Sequence, residues 1–171
     1  MNNAMKINKT ASLTMGGLFA ALSIILTRFF SFYILGESIR LGFGSIPILL
    51  SGAMLGPIMG FLTGAVADFA GMMIFGSVGP YFPGFTLSAA LTGLIPGLIF
   101  YKTNRDYKLW KIIVAIIIVS ISIDLGLNTL WLKIILKKGF WILLPGRMIA
   151  RAIMAPIEVF VLYLILSRTR L

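Results

Sequence analysis

The chain of 171 residues contains no cysteine and no histidine, and only five acidic side chains stand against fifteen basic ones. The two missing residue types exclude a disulfide framework, a thiol nucleophile, an imidazole base and any metal site built from Cys or His. Walker A, paired-His and Ser-His-Asp patterns are missing too, so the chain has no familiar route to ATP hydrolysis, no resident cofactor is expected and the protein is not read as an enzyme. A solute moved uphill would draw its energy from a partner or an ion gradient. Charge of either sign is scarce: 12% of residues are charged and 59% apolar, and the mean hydropathy is +1.02. Soluble domains carry a charged fraction of about 25%, which argues against a water-soluble domain.

What is present is apolar length. A spanning helix needs about 20 apolar residues, so six spans take about 120 positions and leave about 50 for loops and tails. The expected fold is all-α: one transmembrane domain over residues 1–171, a six-helix bundle in the cell membrane. The spans are read as Thr10–Thr27, Ser45–Leu55, a third to Phe75 after the turn Gly56-Pro57, a fourth to Tyr101, a fifth to Leu132 and a sixth over Gly146–Leu166. Lys6 and Lys9 ahead of the first apolar stretch resemble a signal peptide, but no cleavage pattern follows and further spans do, so a retained helix is expected. Lys133 to Pro145 is read as the last loop. The stretch Phe29 to Phe43 is neither cleanly helical nor cleanly polar, and irregular backbone at that depth survives only under protein or beside a cavity, so it is expected to fold over the mouth of the bundle.

The net charge of +10 divides along this topology. Lys6, Lys9, Lys102, Arg105, Lys108, Lys111, Arg168 and Arg170 share one side with both termini, which the positive-inside rule makes cytoplasmic. Arg28, Arg40, Lys133, Lys137, Lys138 and Arg147 fall on the other side. Lipid headgroups account for the loop lysines. The three arginines suit the mouth of a site for an anion, and nucleic acid is not a partner for either set.

Inside the spans, Gly60, Gly64 and Asp68 recur every four residues and share a face, so another backbone approaches closely and Asp68 points into the bundle. An ionisable group there is either a ligand contact or an interhelical bond. Asp124, Asn128 and Trp131 share a face of the fifth span, which offers edge hydrogen bonds and a stacking surface to a heteroaromatic ring. Asp124 reads equally well as interhelical glue. Arg147 suits a carboxylate, whereas Arg151 and Glu158 stand about 10 Å apart along one helix and each needs a partner elsewhere. Aromatics in the capping segments, Tyr33, Phe43, Tyr81, Phe82 and Phe85 among them, are candidates for pocket lining or an interfacial belt. Gly16 with Ala20, and Gly17 with Ala21, form two small-residue pairs suited to helix docking, inside the bundle or with a partner.

Several stretches carry a family resemblance: Ile39-Arg-Leu-Gly-Phe-Gly-Ser-Ile-Pro47, Gly56-Pro-Ile-Met-Gly60, Gly64-Ala-Val-Ala-Asp68 and Tyr81-Phe-Pro-Gly-Phe-Thr-Leu-Ser-Ala-Ala-Leu-Thr-Gly93, with Asn128-Thr-Leu-Trp131 and Met154-Ala-Pro-Ile-Glu158. The chain resembles the S components of energy-coupling factor transporters, most of all the folate-specific branch. The resemblance implies a membrane subunit that binds a small-molecule vitamin, folate, at the extracellular side and works with a transmembrane coupling protein and two ATPases that use the ATP. It implies that Gly16 with Ala20 or Gly17 with Ala21 meets the coupling protein, that Arg28 is the first-loop arginine and that Asp68 contacts the ring. A vitamin other than folate, or an autonomous ion-coupled transporter using Asp68, Asp124 and Glu158, is the alternative.

Overall fold

The computed structural model describes residues 9–34, 39–76, 82–102, 107–137 and 139–169. In order these form α1 (Lys9–Phe29), a hairpin of β1 (Ser31–Ile34) and β2 (Ile39–Gly42), α2 (Ser45–Leu55), α3 (Pro57–Phe75), α4 (Pro83–Lys102), α5 (Leu109–Leu136) and α6 (Phe140–Arg168). Five of the helices are long and apolar enough to cross a membrane. The sixth, α2, has 11 residues, about 16 Å of rise against a hydrocarbon thickness of about 30 Å. It is buried from Ile46 through Ala53, apolar on every side because every side meets another helix. Large apolar side chains elsewhere point outward, Ile58, Met73 and Ile142 among them, as a surface facing lipid requires.

Small residues close the first half of the bundle. A Cβ on Gly52 or on Gly60 would overlap the carbonyl of Gly93, and one on Gly64 the carbonyl of Ala89, so α2, α3 and α4 meet backbone to backbone. The expected turn is there as well: Gly56 at φ 100° leads into Pro57, the first residue of α3, where the missing N–H costs nothing.

The second half departs from expectation in two places. First, α5 continues to Leu136 and α6 begins at Phe140, so both ends of the predicted loop from Lys133 to Pro145 are helical. The run Phe140–Leu144 must satisfy its own backbone in lipid, so the helix carries on through Pro145. Second, Ser120–Leu127 within α5 is π-helical. That extra residue per turn loosens the carbonyl ladder, and the Asp124 carbonyl accepts from Arg147 Nε at 3.1 Å and from Thr129 Oγ1 at 3.3 Å.

Phe29 to Phe43 holds the antiparallel hairpin, paired from Ser31 with Gly42 to Ile34 with Ile39. Ser23 Oγ fastens its base by donating to the Gly44 carbonyl at 2.7 Å. The main apolar core, with Phe100, Ile112, Ile116 and Leu162, packs against the later residues of α2. The first turn of α2 borders a cavity.

Candidate functional site

The cavity has two lobes of about 520 and 630 Å³ that share Thr27, Gly44, Ser45, Phe85, Asn128, Leu132 and Leu136 as lining. Each lies within the 300–1,000 Å³ range of small-molecule pockets. Ser31 and Gly42 of the hairpin line the second lobe, so the first loop does form part of the wall.

In the first lobe, α3 and α4 bring Asp68 against Thr86, whose Oγ1 donates to Asp68 Oδ2 at 2.7 Å. The close approach enabled by Gly60 and Gly64 sets that distance. Phe82 and Phe85 line the lobe, their rings edge to face at 6.1 Å. Arg28 lines it from the end of α1, with Nη2 donating to the Gly71 carbonyl at 3.0 Å and the guanidinium 5.9 Å from the Phe75 ring. Asn128 lines both lobes; its Nδ2 donates to Asp124 Oδ1 at 3.3 Å, and its Oδ1 is buried with no hydrogen-bond partner among the described residues.

The second lobe is lined by Arg147, Arg151 and Asp124. Arg151 lies 3.1 Å from Asp124 Oδ2, donates to Glu158 at 3.1 and 2.9 Å, and donates twice to Ser120 Oγ. Glu158 is fully buried and also accepts from Ser45 Oγ at 2.5 Å. This corrects the expectation that Arg151 and Glu158 cannot meet. Seven residues are nearly two whole turns, so both leave the same face, and the two side chains laid along the axis cover about 10 Å of rise. The network ties α2 and α5 to α6.

Two expected pocket residues stand elsewhere. Trp131 lines neither lobe: its Nε1 donates to Ser88 Oγ at 3.1 Å and its ring backs Phe82 at 5.4 Å, so the stacking surface belongs to Phe82 and Phe85. Phe43 packs with Met154 and the core. Tyr81 lies outside the described residues, as do the side chains of Tyr33 and Arg40. The hydroxyl lining of Ser23, Thr27, Ser45, Ser88 and Thr92 was not anticipated; hydroxyls in otherwise apolar helices were the available signal.

On α1, Gly16 and Ala20 are buried, Gly16 facing Met59 and Thr63 of α3. Gly17 and Ala21 are exposed, and a Cβ on Gly17 would meet nothing within 4 Å. One small pair serves the bundle and the other faces outward.

A family model, "ECF transporter, substrate-specific component", matches residues 11–166. The chain is 42% identical over 142 residues to the folate transporter FolT of Clostridium novyi (strain NT), covering 83% of this chain and 80% of that protein. It is 28% identical over 134 residues to the folate transporter FolT of Leuconostoc mesenteroides subsp. mesenteroides, covering 75% and 71%. Among solved structures, a crystal structure of FolT bound with folic acid superposes with a TM-score of 0.82 at 31% identity, over 94% of this chain and 96% of that one. The S component of a bacterial ECF transporter superposes at 0.70 and 21% identity, over 95% and 96%, a likeness of fold.

Proposed function

The chain belongs to the substrate-specific components of energy-coupling factor transporters, and from that premise we propose that it captures folate and delivers it inward as one subunit of a vitamin importer. It is a multi-pass membrane protein. The observation that carries the folate reading is the likeness, along 94% of the chain, to FolT bound with folic acid.

The cavity suits such a ligand chemically. A pterin is flat and bears N–H donors along one edge; Asp68 offers Oδ1 beside the oxygen that Thr86 occupies, and Phe82 and Phe85 offer faces. The glutamate tail is a dianion, and Arg28 and Arg147 are cations in the two lobes. An ion-coupled transporter working through Asp68, Asp124 and Glu158 is disfavoured, because Asp124 and Glu158 are both held by Arg151.

In the reading proposed here the protein sits in the cell membrane with both termini cytoplasmic and the hairpin end outward. A transmembrane coupling protein docks on the Gly17 and Ala21 face, and two ATPases supply the energy. The chain itself performs no chemistry on folate.

Ligand titration tests the folate assignment. Purified protein should carry or acquire a pterin absorption band beyond that of Trp and Tyr, and folic acid should quench tryptophan emission saturably. Saturable binding of riboflavin, biotin or pantothenate with no response to folic acid would overturn the vitamin while leaving the family intact.

A further inference from the structure

Three arginines line the cavity; Arg151 is spent on Asp124 and Glu158, and the structure separates the roles of Arg28 in the first lobe and Arg147 in the second. We infer that Arg147, not Arg28, grips the carboxylates of the ligand's tail, so that the ring lies in the first lobe and the tail crosses into the second. This rests on the folate reading above.

The two guanidinium groups differ in what each has left to offer. Arg28 donates to the Gly71 carbonyl at 3.0 Å, stacks on Phe75 at 5.9 Å, and shares its lobe with the carboxylate of Asp68, which repels a second anion. Arg147 spends Nε on the Asp124 carbonyl at 3.1 Å. Its two terminal nitrogens bond nothing among the described residues, and the side chain lines the second lobe. A guanidinium held by Nε with both terminal nitrogens open is a fork for one carboxylate.

Neither Asp124, which lines the second lobe, nor Glu158 behind it opposes this. Asp124 has one oxygen on Arg151 at 3.1 Å and the other on Asn128 at 3.3 Å. Glu158 is sealed from solvent and accepts from Arg151 and Ser45. Their oxygens are taken, so the cations are what the lobe presents to a ligand. The lining common to both lobes sets Thr27, Ser45 and Asn128 beside Gly44, Phe85, Leu132 and Leu136, so a tail passing between them meets polar groups as well as apolar walls.

The test compares folic acid with its dimethyl ester, which keeps the shape of the tail and removes its charge, against wild type, R28A and R147A in detergent, with melting midpoints recorded for each apo protein. Wild type should prefer the acid by about tenfold to a hundredfold. R147A should lose that preference by weakening for the acid while binding the ester as wild type does, and R28A should keep it. R147K retains the charge without the fork and should fall between them; it carries the test if R147A does not fold. A preference that survives in R147A or R147K and disappears in R28A overturns the inference, as does a wild type that binds acid and ester alike. A wild type that binds neither overturns the folate reading itself.

Discussion

Where α2, α3 and α4 meet, glycines bring backbone onto backbone, with Gly52 and Gly60 both against the Gly93 carbonyl. Where α5 meets α6, a π-helical stretch opens the ladder and one guanidinium spans two carboxylates. The first junction has no side chain to rearrange, so it is a fixed wall. The second is built of long side chains in a few hydrogen-bonded positions, in which polar groups hold the helices and line the cavity at once. The difference suggests a division of labour: the glycine half sets the position of the ring-binding surface, and the charged half adapts to the anionic end of the ligand.

The glycine wall is most vulnerable at Gly64. A Cβ there overlaps the backbone of Ala89 and Ala90, and backbone cannot turn aside as a side chain does. Gly64→Leu should exceed the about 1–3 kcal/mol of ordinary overpacking. The expected result is little monodisperse protein on size exclusion after extraction from membranes; a variant with wild-type yield and melting would show that this wall yields.

The charged half should respond differently to one change than to two. Arg151→Met leaves Glu158 as a fully buried carboxylate without its cation and should cost about 3–5 kcal/mol. Adding Glu158→Leu removes that stranded charge while Asp124 keeps its bond from Asn128, and should recover much of the loss, visible as a higher melting midpoint in the double variant than in the single one. No such rescue is expected for a pair of substitutions across the glycine wall, because overlap adds where charge cancels. Equal melting of single and double variants would place the network outside the forces that hold the helices.

Much of this contrast was legible in the sequence, though unevenly. Gly60, Gly64 and Asp68 at four-residue spacing announced a face for close approach, and that face is where α4 docks. The helices followed from apolar length, since lipid leaves the backbone few options. The π segment leaves no mark in the sequence because its residues have the same composition as an ordinary helix turn, and the Asp124 carbonyl within it accepts from Thr129 and from Arg147, the latter on another helix. Rise along the helix sets Arg151 and Glu158 about 10 Å apart, and the length of the two side chains, which spacing does not express, closes the gap. Trp131 shares a helix face with Asn128 as expected, yet its indole N–H is taken by Ser88, and spacing along one helix carries no information about a hydroxyl on another.

Asp68 distinguishes the two halves at the cavity. It is the carboxylate of the glycine half, held at one oxygen by Thr86, and its open oxygen is assigned to the donor edge of the ring. Asp68→Asn keeps the shape and replaces a charged acceptor, so folic acid should bind about tenfold to a hundredfold more weakly. The ester-to-acid ratio should not move, because the tail lies in the other lobe. Titration of both ligands against this variant checks the division, and a changed ratio would merge the two lobes into one electrostatic site.

The smallest effect on the bundle is expected where a glycine of the first half has nothing to touch. Gly17→Leu adds a side chain on the open face of α1, with no atom within 4 Å of its Cβ. One residue earlier, a Cβ on Gly16 would meet Met59 Cε at 2.9 Å. Melting and folic acid affinity should therefore stay at wild-type values in Gly17→Leu and fall in Gly16→Leu. If the outward pair Gly17 and Ala21 receives the coupling protein, Gly17→Leu should still abolish folate uptake by cells carrying the complete transporter, since a leucine holds two helices apart where a glycine lets them touch. Uptake that survives Gly17→Leu, alongside normal binding, would move the docking face elsewhere on the bundle. The glycines of this half would then serve the internal wall alone.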